Sequence, residues 1–130
     1  RGGALYTLVY GRTIAQHMDP IEKKPLFHFK PGTFAYSIAT PGCNFRCQWC
    51  QNWEISQVRP EQVRSLHLTP RDCVDLAAET CVDRFRTRPD PPIIAYTYTE
   101  PTVFMELSAR GTILPSARWT AARPRLPCRN

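Results

Sequence analysis

Three of the chain's six cysteines fall in one octapeptide, Cys43-Asn44-Phe45-Arg46-Cys47-Gln48-Trp49-Cys50. A disulfide framework spreads its cysteines so that each cross-link closes a loop. Crowding in the spacing C-x3-C-x2-C instead gathers soft thiolates for a metal or a cluster. The other three stand apart at Cys73, Cys81 and Cys128, so a reducing, cytoplasmic compartment is expected. Thiolates are the usual ligands of iron–sulfur clusters. Three of them satisfy three corners of a cubane and leave the fourth iron open, as substrate chemistry needs, whereas an electron-transfer cluster takes four. The alternative is a non-catalytic zinc-binding module, with His67 or Cys73 as the fourth ligand.

The flanks place this loop at a strand end. Residues 3–10 are rich in β-branched and aromatic types and read as a strand. Residues 17–33 form a turn-rich connection around Leu26-Phe27-His28-Phe29. Residues 34–40 read as a buried strand, ended by Pro41-Gly42. Thr69-Pro70-Arg71-Asp72 is a helix start, with Thr as N-cap and Pro at the first helical position. Apolar positions at helical spacing behind it predict a helix over 70–86, and residues 93–99 predict a second buried strand. Strand, loop, helix, strand is a β-α-β unit with parallel pairing. A closed eight-stranded barrel takes about 250 residues, so 130 residues give only the start of an α/β barrel.

The charge is unevenly spread. Lys and Arg number 17 against 11 acids, yet residues 107–130 hold five Arg and no acid, which leaves the rest of the chain near neutrality. The basic pI therefore belongs to the tail, and nucleic acid is not an expected partner. No apolar run approaches the ~18 residues of a membrane span, so a membrane is not expected either. The start at Arg1, with neither Met nor a signal pattern, reads as lying downstream of a true beginning. No Walker-type or dinucleotide glycine loop points to another enzyme class.

At the cysteine loop the chain resembles the radical S-adenosylmethionine (radical SAM) superfamily, whose signature is C-x3-C-x-aromatic-C, with Trp49 in the aromatic slot. Further words are similar to the AmmeMemoRadiSam-system radical SAM enzymes, in the branch like pyruvate formate-lyase activating enzymes. They are Tyr10-Gly11-Arg12, Asp19-Pro20-Ile21-Glu22-Lys23-Lys24-Pro25-Leu26, His28-Phe29, Gly42-Cys43, Cys50-Gln51-Asn52-Trp53-Glu54-Ile55-Ser56-Gln57 and residues 94–106. The resemblance covers roughly residues 3–106. It implies an α/β fold, the N-terminal part of a radical SAM partial TIM-type barrel. Residues 1–33 would be an N-terminal strand and turn extension, 34–106 the start of the barrel, and 107–130 a basic tail outside the family.

The resemblance further implies that Cys43, Cys47 and Cys50 ligate a 4Fe–4S cluster whose open iron chelates S-adenosylmethionine. Trp49 would lie against the adenine. Tyr98-Thr99-Glu100-Pro101 aligns with the superfamily's Gly-Gly-Glu-Pro stretch, which binds the methionine amino group. Tyr98 and Thr99 replace the two glycines, so only backbone and Glu100 carry over. The implied activity is reductive cleavage to a 5′-deoxyadenosyl radical and hydrogen abstraction, with an external reductant such as flavodoxin or ferredoxin and a protein among the candidate substrates.

Plainer readings accompany these. Trp49 alone reads as core, and Glu100 as a turn carboxylate. Cys73 and Cys81 read as small core residues. His17, His28 and His67 read as surface or structural, Asp19, Glu22, Lys23 and Lys24 as a solvated turn, and Arg46 as an exposed loop cation. The composition of residues 107–130 fits translation in a shifted reading frame better than an evolved helix, with a genuine basic extension as the alternative. A chain ending so is expected to be marginally stable, with an open sheet edge, and inactive alone.

Overall fold

A computed structural model describes residues 3, 6–80 and 92–113. Strand β1 (Arg12–Thr13) pairs antiparallel with β4 (Leu66–His67) in a two-residue ladder. The main sheet has the order β2-β3-β5, formed by Ala15–Pro20, Phe34–Ala39 and Ile94–Tyr96. Strand β2 runs antiparallel to β3, and β5 runs parallel to it in the register Tyr36↔Ile94, Ser37↔Ala95, Ile38↔Tyr96. Among the described residues three α-helices accompany the strands: α1 (Trp53–Ser56), α2 (Pro70–Thr80) and α3 (Met105–Ile113).

The two faces of the main sheet differ because side chains alternate along a strand. Tyr36 and Ile38, with Met18, Ile94 and Tyr96 beside them, pack on Cys73 and Ala77 of α2. The other face carries the small residues Ala35, Ser37 and Ala39, all buried, and the register sets Asp19 and His17 opposite Ala35 and Ser37. Helix α2 starts as its sequence predicts. Thr69 Oγ1 accepts from the Asp72 amide at 3.2 Å and the Asp72 carboxylate accepts from the Thr69 amide at 2.8 Å, a reciprocal cap. Its continuation over 81–86 lies outside the described residues. A parallel β3/β5 pair with α2 between them in sequence is the expected β-α-β arrangement.

Two expectations fail. Residues 6–10 form no strand. Val9 instead packs in a cluster with Phe104 and Leu107, and Thr7 Oγ1 donates to the Val103 carbonyl at 2.6 Å. β-propensity records fitness for a half-buried surface, and here a helical surface fills that role. The strand falls instead on Ala15–Pro20, whose last four residues lie in the stretch 17–33 read as turns. Its polar residues and terminal Pro20 suit an edge, which is where the sheet order puts it.

Helix α3 runs through the boundary expected at residue 107. Phe104 and Leu107 are buried to 0% and 1% exposure, a placement worth ~1.5–3 kcal/mol for each side chain. Residues 107–113 thus belong to the fold, while 114–130 lie outside the described residues. Among the described residues no helix is long and apolar enough to cross a membrane.

Candidate functional site

The cysteine loop leaves the C-terminal end of β3 through Gly42. This glycine has φ +84°, the left-handed region, and a Cβ there would stand 3.1 Å from the Val58 carbonyl oxygen. Its amide donates to the Ile55 carbonyl at 2.8 Å. A residue with a side chain would strain the backbone and crowd the Val58 carbonyl. From this root the loop runs outward. Cys47 is exposed, Cys43 and Cys50 are half-buried, and all three are free thiols. The Phe45 amide donates to Cys43 Sγ at 3.4 Å, Cys50 Sγ lies 3.4 Å from Ser56 Oγ, and Gln57 Nε2 donates to the Phe45 carbonyl at 3.1 Å. Backbone and amide contacts hold the loop, and none of its three thiols is tied up in a disulfide.

Among the described residues no group of three or more His, Cys, Asp and Glu side chains is drawn together tightly enough to hold a metal ion. What fits a cluster is the chemistry of the donor set: three soft thiols within eight residues on one exposed loop. Neither residue considered as a fourth zinc ligand joins them. Cys73 is fully buried against Tyr36 and Ile38 under α2, and burial pushes its thiol up to about 11. His67 lies in β4, its ring beside Gly11.

Trp49 is 91% exposed, which overturns its reading as core and leaves its flat face free. Arg46 is exposed, as the plain reading had it, and so are His17, His28 and His67. Glu100 is the N-cap of a short 3-10 helix, Pro101–Phe104, where Oε1 accepts from the Thr102 amide at 3.2 Å. Thr99 is buried and donates from Oγ1 to the Thr40 carbonyl at 3.2 Å. This bond ties the chain after β5 to the end of β3, two residues before Gly42. The strand ends that carry Cys43 and Glu100 are therefore fastened to each other.

Of the residues read as a solvated turn, Lys23 is exposed, but Asp19 and Lys24 are the largest correction. Asp19 is 4% exposed and saturated with partners. Oδ1 accepts from Lys23 Nζ at 2.8 Å, Oδ2 from Lys24 Nζ at 2.7 Å, and Oδ2 also from the Tyr98 hydroxyl. Burial pushes the Asp19 carboxyl up, but the donors Lys23, Lys24 and Tyr98 outweigh it and hold it far below the usual carboxylate range. Burial and the bond to Asp19 raise the Tyr98 phenol. Lys24 Nζ sits 4.7 Å from the Tyr98 ring centre, and His17 meets the ring edge-on at 5.9 Å. Tyr98 itself has φ +69°, a conformation that costs a bulky residue ~1–3 kcal/mol and persists only where its surroundings fix it.

A cleft of about 400 Å³ opens above this cluster, bounded by His17, Asp19, Lys23, Tyr98 and the residues Gln51 and Asn52 that follow the cysteine loop. It adjoins a wider groove of about 850 Å³ along β5, and the two share Lys23, Gln51, Asn52 and Tyr98. The strand end, the N-terminal extension and the two residues after the cysteine loop thus meet around these adjoining concavities. The sequence words Asp19-Pro20-Ile21-Glu22-Lys23-Lys24 and Tyr98-Thr99-Glu100 were each visible, but their contact was not.

Two proteins of Methanocaldococcus jannaschii are similar to the chain. The uncharacterized protein MJ0808 is 48% identical over 104 residues, which is 80% of this chain and 28% of the relative. The uncharacterized protein MJ0674 is 40% identical over 43 residues, which is 33% of this chain and 13% of the relative. The chain thus spans less than a third of the length of the curated relatives it matches. No family model and no solved structure matches it.

Proposed function

We propose that the chain is the cluster- and cofactor-binding part of a radical SAM enzyme of the activating-enzyme-like type, built on the start of a partial TIM-type barrel. One observation carries this reading. Three free thiols stand on the exposed loop that continues β3, and the end of its parallel neighbour β5 is fastened to that loop's root. In parallel α/β sheets the strands' C-terminal ends are where chemistry is assembled.

Cys43, Cys47 and Cys50 would hold the 4Fe–4S cluster. When bound, the cluster supplies the electron for reductive cleavage of S-adenosylmethionine; the protein supplies placement and exclusion of side reactions. Trp49 offers an exposed aromatic face to the adenine. Glu100 keeps Oε2 for the methionine amino group while Oε1 caps the following turn. The left-handed backbone at Tyr98 supports the alignment with the superfamily's Gly-Gly-Glu-Pro, since glycine favours that conformation. Hydrogen abstraction from a protein substrate, and reduction by a flavodoxin or ferredoxin in the cytoplasm, are proposed at the level of the whole protein.

Anaerobic reconstitution with ferrous iron and sulfide tests the reading. About four irons per chain are expected, lost in Cys43→Ser, Cys47→Ser or Cys50→Ser and kept in Cys73→Ser. Stoichiometric zinc with no cluster absorbance would overturn it. Glu100→Gln should weaken S-adenosylmethionine binding by ~1.5–3 kcal/mol at unchanged iron content. Equal affinity would return Glu100 to a turn carboxylate alone.

A further inference from the structure

The Asp19 cluster does more than brace the fold, because its charges do not cancel. One carboxylate meets two ammonium groups, and both of its oxygens are taken. Lys24 is nearly spent: its side chain is 14% exposed, bonded to Asp19 and stacked over Tyr98. Lys23 is less so. Its Nζ also lies over the Tyr98 ring, farther out at 5.8 Å, but its side chain is 58% exposed, and Asp19 uses one of its three N–H donors. The remaining donors stand where the two concavities meet, since Lys23 borders both. Gln51 and Asn52 border both as well, and they bring side-chain carboxamides that donate hydrogen bonds. Met18, Ala15 and Ile55 add an apolar stretch to the same lining. Glu54, also there, limits the preference to a molecule with a single anionic end. The backbone of Tyr98 is strained, and such strain persists where surrounding contacts over-determine it, often at ligand sites.

We infer that Asp19, Lys23, Lys24 and Tyr98 form the floor of a binding subsite for a small carboxylate- or phosphate-bearing molecule, with Lys23 as the ammonium that meets the oxyanion. Asp19 and Lys24 fix the position of Lys23 and of the Tyr98 ring, and Gln51 and Asn52 close on the ligand from the cysteine-loop side. This subsite goes beyond the radical reading and does not require the cluster to be bound. An anion and a cluster ligated by Cys43, Cys47 and Cys50 occupy different residues.

The test is an NMR titration of the isotope-labelled 130-residue chain, without iron, using sodium phosphate, sodium acetate and sodium chloride at matched ionic strength. Saturable shifts at Lys23, Gln51, Asn52 and Tyr98 with phosphate or acetate, and none with chloride, are expected. Binding of phosphate alone or of acetate alone assigns the ligand class, and binding of both shows a general oxyanion site. Lys23→Gln should weaken binding about tenfold or more, and Lys23→Arg should restore most of it. Arg59→Gln, on an exposed turn, should leave it unchanged. Equal shifts with chloride, failure to saturate, or unaltered affinity in Lys23→Gln would overturn the subsite. None of these outcomes touches iron binding, so the cluster reading stands or falls separately.

Discussion

The cysteine loop and the Asp19 cluster, whose cleft is bordered by Gln51 and Asn52 just after that loop, are built on opposite plans. The loop is held by its backbone at Gly42 and at Phe45, which the Gln57 side chain meets, and leaves its thiols outside any disulfide. The cluster buries its one acid, saturates both oxygens and locks a strained tyrosine over it. The first plan suits groups that are to bind something from outside. The second suits groups that keep a wall rigid. A site needs both, since a ligand held by mobile residues alone loses affinity to their ordering.

The contrast can be broken most directly through stability. Asp19→Ala leaves two lysines and a phenol without their shared partner and should cost ~3–5 kcal/mol in a denaturant titration. A loss below ~1 kcal/mol would mean that the cluster is a surface pairing after all. Next in size is a difference in thiol reactivity. With its thiol pushed up to about 11 by burial, Cys73 should alkylate at pH 8 at least ~100-fold more slowly than the loop cysteines, read site by site by mass spectrometry.

Acid should find the cluster before the loop. A carboxyl held below its unfolded value contributes stability that is complete above that value and is lost as pH falls toward the folded one. The unfolding free energy should therefore decline as pH drops below ~4–5, the range in which an unfolded Asp begins to protonate. The slope should flatten in Asp19→Ala, and an unchanged slope would assign acid sensitivity to other carboxylates. The smaller changes sharpen the picture. Tyr98→Phe removes one donor to Asp19 and should cost ~1–3 kcal/mol, while a triple Cys43→Ser, Cys47→Ser, Cys50→Ser chain without iron should stay within ~0.5 kcal/mol of the parent.

How far the sequence is legible follows the reach of the signals. C-x3-C-x2-C is a local word, and it falls on an exposed loop at a strand end, as read. Thr69 to Asp72 is equally local, and its cap forms as read. The β-branched and aromatic run at 34–40 gives β3 almost to the residue. By contrast, nothing around Asp19 announces that it is buried, because Tyr98 lies 79 positions away. Residues 17–20 look like a turn since an edge strand draws its order from its neighbour, not from its own propensity. Val9 reads as strand because burial against a helix and burial in a sheet call for the same side chains. The tail's composition hides the fact that Leu107 completes a core begun by Val9.

The reach of these contacts also has a meaning in time. Thr7 meets Val103 and Asp19 meets Tyr98 across separations of 96 and 79 positions, whereas Lys23 meets Asp19 within a single turn. On a chain growing from its N-terminus, the Asp19–Lys23 pair can form early, and the tyrosine that completes the wall arrives only after most of the described chain has been made. Distant pairings fold slowly because the intervening loop must be closed first. The wall of the cleft bordered by Gln51 and Asn52 is thus completed late, once residue 98 is in place.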